Sequence, residues 1–343
     1  MKCDSGHIEP YRIPIRAEEG GLTGSERHGR LVRLTSDTGL SAWGDAAPLP
    51  GFSNETVADV DRAWSTWIAS CPLEELMQDL PPDMPPSLRF AIDQARLGLE
   101  TAARGSPHPI LLSGQYRKEV HVGALLDCST DDAVEQAGRL ANLGYMSIKI
   151  KVGKWNSIAA ADAVRATRLT VANDTQITLD ANRAWGFDEA SEFLKRIEDC
   201  DITYVEEPLR NPAHLDRLAA SVNVGIALDE SILEFSPSEL NQWAFASHIV
   251  VKPTLVGGLT RGIEFAEAAA ALGIRAVASA CFESGIGILG VLSLAFSENF
   301  DAVAGVDTYR RLRGDVLQPR LLLPPRVDIN ILNRVYDGPS RQE

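Results

Sequence analysis

The sequence predicts an α/β protein whose larger part is a closed barrel of parallel strands and helices. From about residue 120 onward, short apolar runs alternate with longer stretches of helical periodicity, which is the pattern of repeated βα units. Eight such runs follow one another at nearly even intervals, and this regularity favours a closed barrel over an open doubly wound sheet. The first hundred residues lack the alternation and are typical of a separate, antiparallel region.

Composition and charge limit the classes of function. The chain has 343 residues and a net charge of −14, so neither nucleic acid nor an anionic membrane is an expected partner, because both bind basic surfaces. An anionic small molecule would need local positive charge.

The five cysteines include no CxxC pair, which predicts reduced thiols rather than disulfides or a zinc site. We find no signal peptide or membrane-span pattern and expect a cytoplasmic protein. The sequence makes no prediction of the oligomeric state.

The first region contains a hairpin and a helix. Residues 30–46 predict two antiparallel strands joined by a turn at 36–39, where Asp and Gly suit turn positions. A Pro/Gly-rich loop at 48–56 then leads into helical sequence. A further helix is predicted from Ser87, a good N-cap residue, to Arg104, because Gly105 is a typical helix stop.

The barrel region has recognisable strand and helix starts. Its strands are predicted to begin near Val120, Ser147, Gln176, Thr203, Gly225, His248, Arg275 and Ala302. A Ser-Thr-Asp-Asp signal at 129–132 starts one helix, which Gly144 ends, and Pro237 with Glu239 starts another. Extended text at 320–329 predicts that the chain end returns to the first domain. With a boundary at 105–109, the expected domains are 1–108, 109–315 and a C-terminal segment 316–343.

Charged or polar side chains stand at five consecutive strands of the predicted barrel. They are Lys149 and Lys151 on the second strand, Asp180 and Asn182 after the third, Glu206 and Glu207 after the fourth, Asp229 and Glu230 after the fifth, and Lys252 after the sixth. Taken singly, such a carboxylate is most often a helix N-cap and such a lysine a surface residue. Because the carboxyl ends of barrel strands share one cavity, five charged ends in succession predict a functional site.

The residue types at these strand ends predict proton abstraction beside a metal-bound carboxylate. Three carboxylates from neighbouring strands repel one another unless a cation joins them, and hard oxygen ligands suit Mg²⁺. One acid of each adjacent pair should face inward, and the strand pattern leaves open which. In this hypothesis Lys151 is the base, and Lys149 with the metal lowers its pKa to roughly 7 to 8 by like-charge repulsion. Lys252 then stabilises the enediolate.

Five ordered motifs resemble the muconate-lactonizing subgroup of the enolase superfamily: KIK (149–151), LDANRAW (179–185), VEEP (205–208), LDES (228–231) and VVKP (250–253). The resemblance implies an α/β fold, a (β/α)7β TIM-like barrel with an α+β capping domain formed by the N-terminal part and the chain end. It also implies that Asp180, Glu206 and Asp229 bind one Mg²⁺ ion and that Lys151 and Lys252 are the acid–base lysines.

Two further segments refine the expected reaction. PLPGFSNET (48–56) resembles a mobile capping loop, and SACFESGIG (279–287) a seventh-strand segment, of members that dehydrate a cyclohexadiene carboxylate (SHCHC) to o-succinylbenzoate in menaquinone biosynthesis. The expected partner is therefore a small anionic carboxylate. Candidate substrate contacts are Phe52, Ser53, Asn182, Ser279 and Ser284. Loop packing or helix capping is the alternative for the loop and seventh-strand residues.

Two positions differ from the pattern of the family, and several functions compete. Asp45 stands where relatives often have Glu, and Thr178 where some have Arg, so both positions put substrate contacts in question. The same two lysines would serve an N-acylamino acid racemase or another epimerase, and a muconate-type cycloisomerase is a third candidate. A non-catalytic barrel, or a phosphosugar barrel using Gly257 and Gly258, is the alternative from a different class.

Overall fold

The computed structural model describes residues 3–16, 26–70, 80–106, 114–126, 130–336 and 338–339. Its strands are β1 (Cys3–Pro14), β2 (Glu26–Ser36), β3 (Ser41–Ala46), β4 (Glu119–Val122), β5 (Ala124–Leu126), β6 (Ser147–Lys151), β7 (Gln176–Asp180), β8 (Ile202–Glu206), β9 (Ile226–Leu228), β10 (His248–Val251), β11 (Arg275–Ala278), β12 (Val303–Ala304) and β13 (Arg326–Asp328).

The α-helices are α1 (Val57–Ser70), α2 (Pro86–Arg104), α3 (Thr130–Asn142), α4 (Ser157–Thr170), α5 (Phe187–Arg196), α6 (Leu215–Ala219), α7 (Pro253–Val256), α8 (Leu259–Ala271) and α9 (Gly285–Phe296). Short 3₁₀ segments follow several strands, and one of them, Pro237–Trp243, has the predicted start: Ser236 and Glu239 form a capping box there. None of the helices among the described residues combines the length and the apolar character of a membrane span.

The N-terminal part forms an antiparallel sheet in the order β1-β2-β3. The predicted hairpin is confirmed as β2 and β3, and the amide of Gly39 donates to the carbonyl of Ser36 within the turn. Strand β1 pairs with β2 over its whole length and was not predicted, because its residues alternate poorly between apolar and polar. Helices α1 and α2 cover one face of this sheet and bury a cluster that includes Trp64 and Leu88. We call residues 3–106 the cap.

Helix α2 corrects one predicted boundary. It begins at Pro86, one residue before the predicted cap Ser87, because proline is favoured in the first turn, where its missing N–H costs nothing. Its end is as predicted, with Gly105 in the left-handed conformation at φ 63°. The predicted start signal at Ser129 and most of the predicted domain boundary lie outside the described residues.

The second part is a barrel of parallel strands. Seven strands pair in the order β5 to β11, and each predicted strand start is confirmed within about two residues. The first predicted strand is divided at Gly123 into β4 and β5. Strand β12 pairs in parallel with β4, and a bridge joins Ser279 to Gly305, so the ring of strands closes.

The chain end contacts both parts of the molecule, and the predicted return to the cap is made by the residues that follow the extended segment rather than by that segment itself. Strand β13 pairs antiparallel with β4 and thus extends the barrel. The following segment, Ile329–Tyr336, contacts β3 of the cap and α9 of the barrel. The extended pattern predicted a strand, but it carried no information on which of two exposed sheet edges that strand would join.

Candidate active site

The carboxyl ends of the barrel strands surround a cavity that is partly open to solvent. The cap closes part of its mouth, because Leu49 and Phe52 from the loop after β3 stand against the strand ends. Six of the nine charged or polar strand-end residues singled out in the sequence line the cavity: Lys149, Lys151, Asp180, Asn182, Glu206 and Lys252.

Strand β6 turns its two lysines toward the cavity because side chains alternate along a strand. Ile148 and Ile150 are fully buried on the helix side, and Lys149 and Lys151 lie on the other side. Lys149 forms an ion pair with Glu206. The Nζ of Lys151 lies 3.3 Å from Oδ1 of Asn182. It lies 3.7 Å from Oδ2 of Asp180.

The structure decides which acid of the Glu206–Glu207 pair faces the cavity. Glu206, the last residue of β8, lines it, whereas Glu207 points into the neighbouring loops. Asp229 follows β9 and forms an ion pair with Lys252. Asp180 ends β7, so the three predicted metal ligands stand at the ends of three consecutive strands.

Buried charges of both signs crowd the cavity. Burial raises the pKa of Glu206 well above its usual range, and the charges of Asp180 and Asp229 add to the effect. Burial lowers the pKa of Lys149, but the carboxylate of Glu206 outweighs it, so the net pKa is raised. The same balance, with Asp229 as the opposing charge, raises the pKa of Lys252. Burial and the neighbouring carboxylates thus act together on the pKa of Glu206, whereas at the two lysines the carboxylates act against burial and outweigh it.

The donor set fits a hard divalent cation. Carboxylate oxygens from neighbouring strands are the ligands that Mg²⁺ prefers, and a cation would relieve the repulsion that raises the pKa of Glu206. Among the described residues, no three His, Cys, Asp or Glu side chains already form a metal cage. Glu206 and Asp229 are instead held by the ammonium groups of Lys149 and Lys252. Asp180, Glu206 and Asp229 are the residues that would hold the ion.

Behind the carboxylates, Glu207 joins the loops that follow β7, β8 and β9. It is fully buried, and its Oε1 accepts hydrogen bonds from the amides of Asp229, at 3.0 Å, and Ser231, at 2.7 Å. Its Oε2 accepts from Nε of Arg183, at 3.0 Å, and from the hydroxyl of Ser231, at 3.0 Å. Sequence reasoning assigned Glu207 no role, although its position beside Glu206 in an EEP sequence is a usable signal.

The candidate substrate contacts divide into two groups. Phe52, Asn182 and Ser279 line the cavity. Ser53 and Ser284 do not, which corrects the prediction for both residues. The hydroxyl of Ser53 accepts a hydrogen bond from the amide of Leu49 and so stabilises the capping loop internally. Ser284 is fully buried at the start of α9 and donates its hydroxyl to Asp45.

Asp45 is a junction residue between cap and barrel. It is fully buried, and its carboxylate accepts hydrogen bonds from Tyr11 at 2.9 Å and from the amide of Ser284 at 2.8 Å. Burial raises its pKa to about 6. Asp45 does not line the cavity, so its difference from the relatives does not bear on the substrate contacts. Thr178, the other departure, does line the cavity.

Sequence reasoning missed three polar residues of the cavity wall, Tyr204, Asp307 and Thr308. Tyr204 lies two residues before Glu206 on β8, so the period of two along a strand was a signal for it. Asp307 follows β12, as the other acids follow their strands, and it accepts a hydrogen bond from the amide of Leu125 at 2.7 Å. It also forms an ion pair with Arg310.

Comparisons with known proteins show to which class of protein the chain belongs. Residues 132–327 match the family model described as "Enolase C-terminal domain-like", and residues 11–99 match "MenC, N-terminal domain". The substrate-liganded L-Ala-D/L-Glu epimerase from Bacillus subtilis superposes with a TM-score of 0.84 at 22% identity, covering 96% of each chain. A dipeptide epimerase from Enterococcus faecalis V583, complexed with Mg and a dipeptide, superposes with a TM-score of 0.83 at 23% identity, covering 96% of this chain and 97% of that one. These two likenesses show the fold.

Sequence relatives narrow the class. The o-succinylbenzoate synthase of Yersinia pseudotuberculosis serotype I is 30% identical over 319 residues, which cover 90% of this chain and 92% of the relative. That of Pectobacterium atrosepticum is 29% identical with the same coverage. The chain belongs to the enolase superfamily and, within it, to the family of the o-succinylbenzoate synthases. It is an enzyme of that type.

Proposed function

We propose that this protein dehydrates SHCHC to o-succinylbenzoate with the help of one Mg²⁺ ion, as a cytoplasmic step of menaquinone biosynthesis. The observation that carries the proposal is the position of Lys151 and Lys252. They reach one cavity from β6 and β10, with the carboxylates of β7, β8 and β9 between them in the order of the strands. The names of the curated relatives support the choice of reaction.

In the proposed mechanism Lys151 acts twice on one face of the substrate. Its Nζ first takes the proton from the carbon next to the substrate carboxylate, and the electron pair moves into an enediolate. Lys151 then returns that proton to the leaving hydroxyl, so that water departs and the ring becomes aromatic. Syn stereochemistry follows because a single group acts on both positions.

Other residues of the cavity stabilise the charge. The ammonium of Lys252 faces the developing enediolate, while Lys149 adds positive charge on the side of Lys151. A divalent cation held by Asp180, Glu206 and Asp229 would supply Lewis-acid stabilisation of the substrate carboxylate. Phe52 from the capping loop reduces the access of water to the cavity.

A racemase or epimerase is the second candidate, because two opposed lysines also suit proton removal on one face and delivery on the other. The solved structures of similar fold include epimerases and an N-succinyl Arg/Lys racemase. Their identities of 19 to 22% support the fold and leave the choice of reaction to experiment.

The test compares the two reactions in the same preparation. We expect dehydration of SHCHC in the presence of Mg²⁺, loss of activity with EDTA, and a kcat/KM well above that for racemisation of N-acylamino acids. Lys151→Ala should lower kcat for dehydration by about 10²- to 10⁴-fold and abolish exchange of the α-hydrogen for deuterium. The control is Lys154→Ala, an exposed lysine of the following turn. Racemisation faster than dehydration would refute the proposal.

A further inference from the structure

Arg27 on β2 is a buried arginine that joins two walls of the cavity. Only 2% of its surface is exposed. One side of its guanidinium donates to the carbonyls of Ala47 and Pro48, at the start of the capping loop. Its Nε donates to the carbonyl of Phe282 at 3.0 Å, and Nη2 approaches the carbonyl of Cys281 at 3.4 Å.

Both segments that Arg27 holds continue into the cavity lining. Leu49 and Phe52 follow the two carbonyls of the capping loop, while Cys281 and Phe282 themselves stand at the cavity after β11. The two segments therefore supply residues to two parts of the cavity wall. Arg27 is thus placed between the cap and the barrel at the point where they enclose the substrate.

The chemistry of arginine explains why this residue type suits the position. A buried charge is costly unless polar groups satisfy it, and in the described part of the chain we find no carboxylate in an ion pair with Arg27. Its charge is satisfied by carbonyl oxygens of the two segments instead. The planar guanidinium has five N–H donors and can donate to carbonyls on two sides at once. A lysine ammonium cannot reproduce that geometry.

We propose that Arg27 is a positioning residue for substrate binding, which acts by holding the capping loop and the loop after β11 at a set separation. Arg27 itself does not line the cavity, so it acts through the backbone of the residues that do. Its predicted effect is on substrate affinity, whereas the carboxylates that would hold the cation lie on other strands and should be insensitive to it.

The chain offers a matched control in Arg117. This arginine also donates to four backbone carbonyls, those of Ala295, Ser297, Phe300 and Asp301, at distances from 2.7 to 3.2 Å. It precedes β4 and contacts the segment before β12, so it lies at the opposite end of the barrel from the cavity. Arg117→Lys therefore removes the same kind of fork without touching the cavity walls.

The experiment measures hydrogen exchange and kinetics in the full-length protein. In Arg27→Lys we expect the amides of 49–53 and 281–284 to exchange about tenfold faster or more, with other regions unchanged. The KM for SHCHC should rise by about tenfold with little change in kcat, and the dissociation constant of Mg²⁺ should stay the same. Arg117→Lys should leave the exchange of both segments and the KM as in the wild type.

Two outcomes would overturn the proposal. One is an Arg27→Lys variant whose two segments exchange at the wild-type rate. The other is a general acceleration of exchange that Arg117→Lys reproduces, which would make Arg27 a residue of overall stability alone. The expectation for KM rests on the proposed function, but the exchange rates do not. If SHCHC is not a substrate, the proposed reaction fails while the exchange data still test Arg27.

Discussion

At the scale of the residue, Glu207 connects the three loops that carry the proposed metal ligands. One carboxylate accepts hydrogen bonds from the backbone of Asp229 and from side chains of Arg183 and Ser231. Three non-glycine residues in this region, Asn182, Arg183 and Glu207, adopt left-handed φ angles of 45°, 56° and 40°. Such conformations persist where surrounding contacts enforce them, and here the hydrogen bonds of Glu207 supply those contacts.

We therefore predict that Glu207→Gln weakens metal binding although Glu207 is not a ligand. The amide would place an N–H₂ group against the donors of Arg183 or Ser231, which would release the loop at Asp229. The dissociation constant of Mg²⁺, measured by calorimetry, should rise about 10- to 100-fold. Glu234→Gln is the control, because Glu234 pairs with the same Arg183 at 3.1 Å but is half exposed. Equal affinities in wild type and Glu207→Gln would contradict this role.

At the scale of the element, close backbone contacts hold the cap together. Strand β3 lies so near to α2 that a Cβ atom on Gly44 would stand 1.8 Å from the carbonyl oxygen of Ala91. The same strand ends at Asp45 and Ala46 and continues into the capping loop. The packing of β3 on α2 thus determines where the capping loop leaves the cap.

Gly44→Ala should strongly destabilise the protein. Overpacking against backbone cannot be relieved by a change of rotamer, so β3 and α2 must separate, at a cost of about 3 kcal/mol or more. Urea unfolding measures the loss. The matched control is Gly186→Ala, because a Cβ atom there meets no atom within 4 Å. Similar stabilities of the two variants would show that the β3–α2 contact adapts more easily than its geometry indicates.

At the scale of the whole molecule, the barrel interior has a cavity at the carboxyl ends of the strands and packed side chains below it. The ring of Tyr204 lines the cavity and lies 4.4 Å, centroid to centroid, from the ring of His248 at the start of β10. His248 is 1% exposed, and its Nδ1 lies 2.9 Å from the hydroxyl of Ser247. Burial, with the positive charge of Arg275, lowers the pKa of His248 to about 3. The carboxylate of Asp301 lies 3.7 Å from Nε2, too far for a hydrogen bond that would reverse the shift.

The stability of the fold should therefore decrease in mild acid. An unfolded histidine has a pKa of about 6.5, so below that pH the unfolded state gains a proton that folded His248 does not. The contribution of neutral His248 to the free energy of unfolding is fully present above about pH 6.5. It is lost as the pH falls toward 3, at about 1.4 kcal/mol per pH unit. Between pH 7 and pH 5, His248→Asn should lose about 2 kcal/mol less free energy of unfolding than the wild type, as measured by urea unfolding. The control is His28→Asn on the half-exposed surface of β2. Parallel profiles for wild type and His248→Asn would contradict the prediction.

The local pattern of the sequence determined the number and order of the barrel strands and the charged residues at their ends. Apolar periodicity and turn residues act over short distances along the chain, so they can be interpreted without knowing the fold. Once a parallel barrel was inferred, its geometry required that Lys149, Lys151, Asp180, Glu206 and Lys252 meet at one edge, as the structure shows. The direction of Ile148 and Ile150 toward the helices followed from the same alternation.

Contacts between distant parts of the chain decided the rest. Ser53 and Ser284 carry hydroxyl groups suited to a substrate, but their partners, Leu49 across a turn and Asp45 on the cap, take those groups away from the cavity. Strand β13 joins β4, and Arg27 reaches a loop 255 residues later in the chain. Hydrogen bonds of this kind depend on which surfaces meet when the chain folds. The sequence by itself determined the chemical groups of the site, and only the tertiary structure decided which of them face the cavity and which hold its walls.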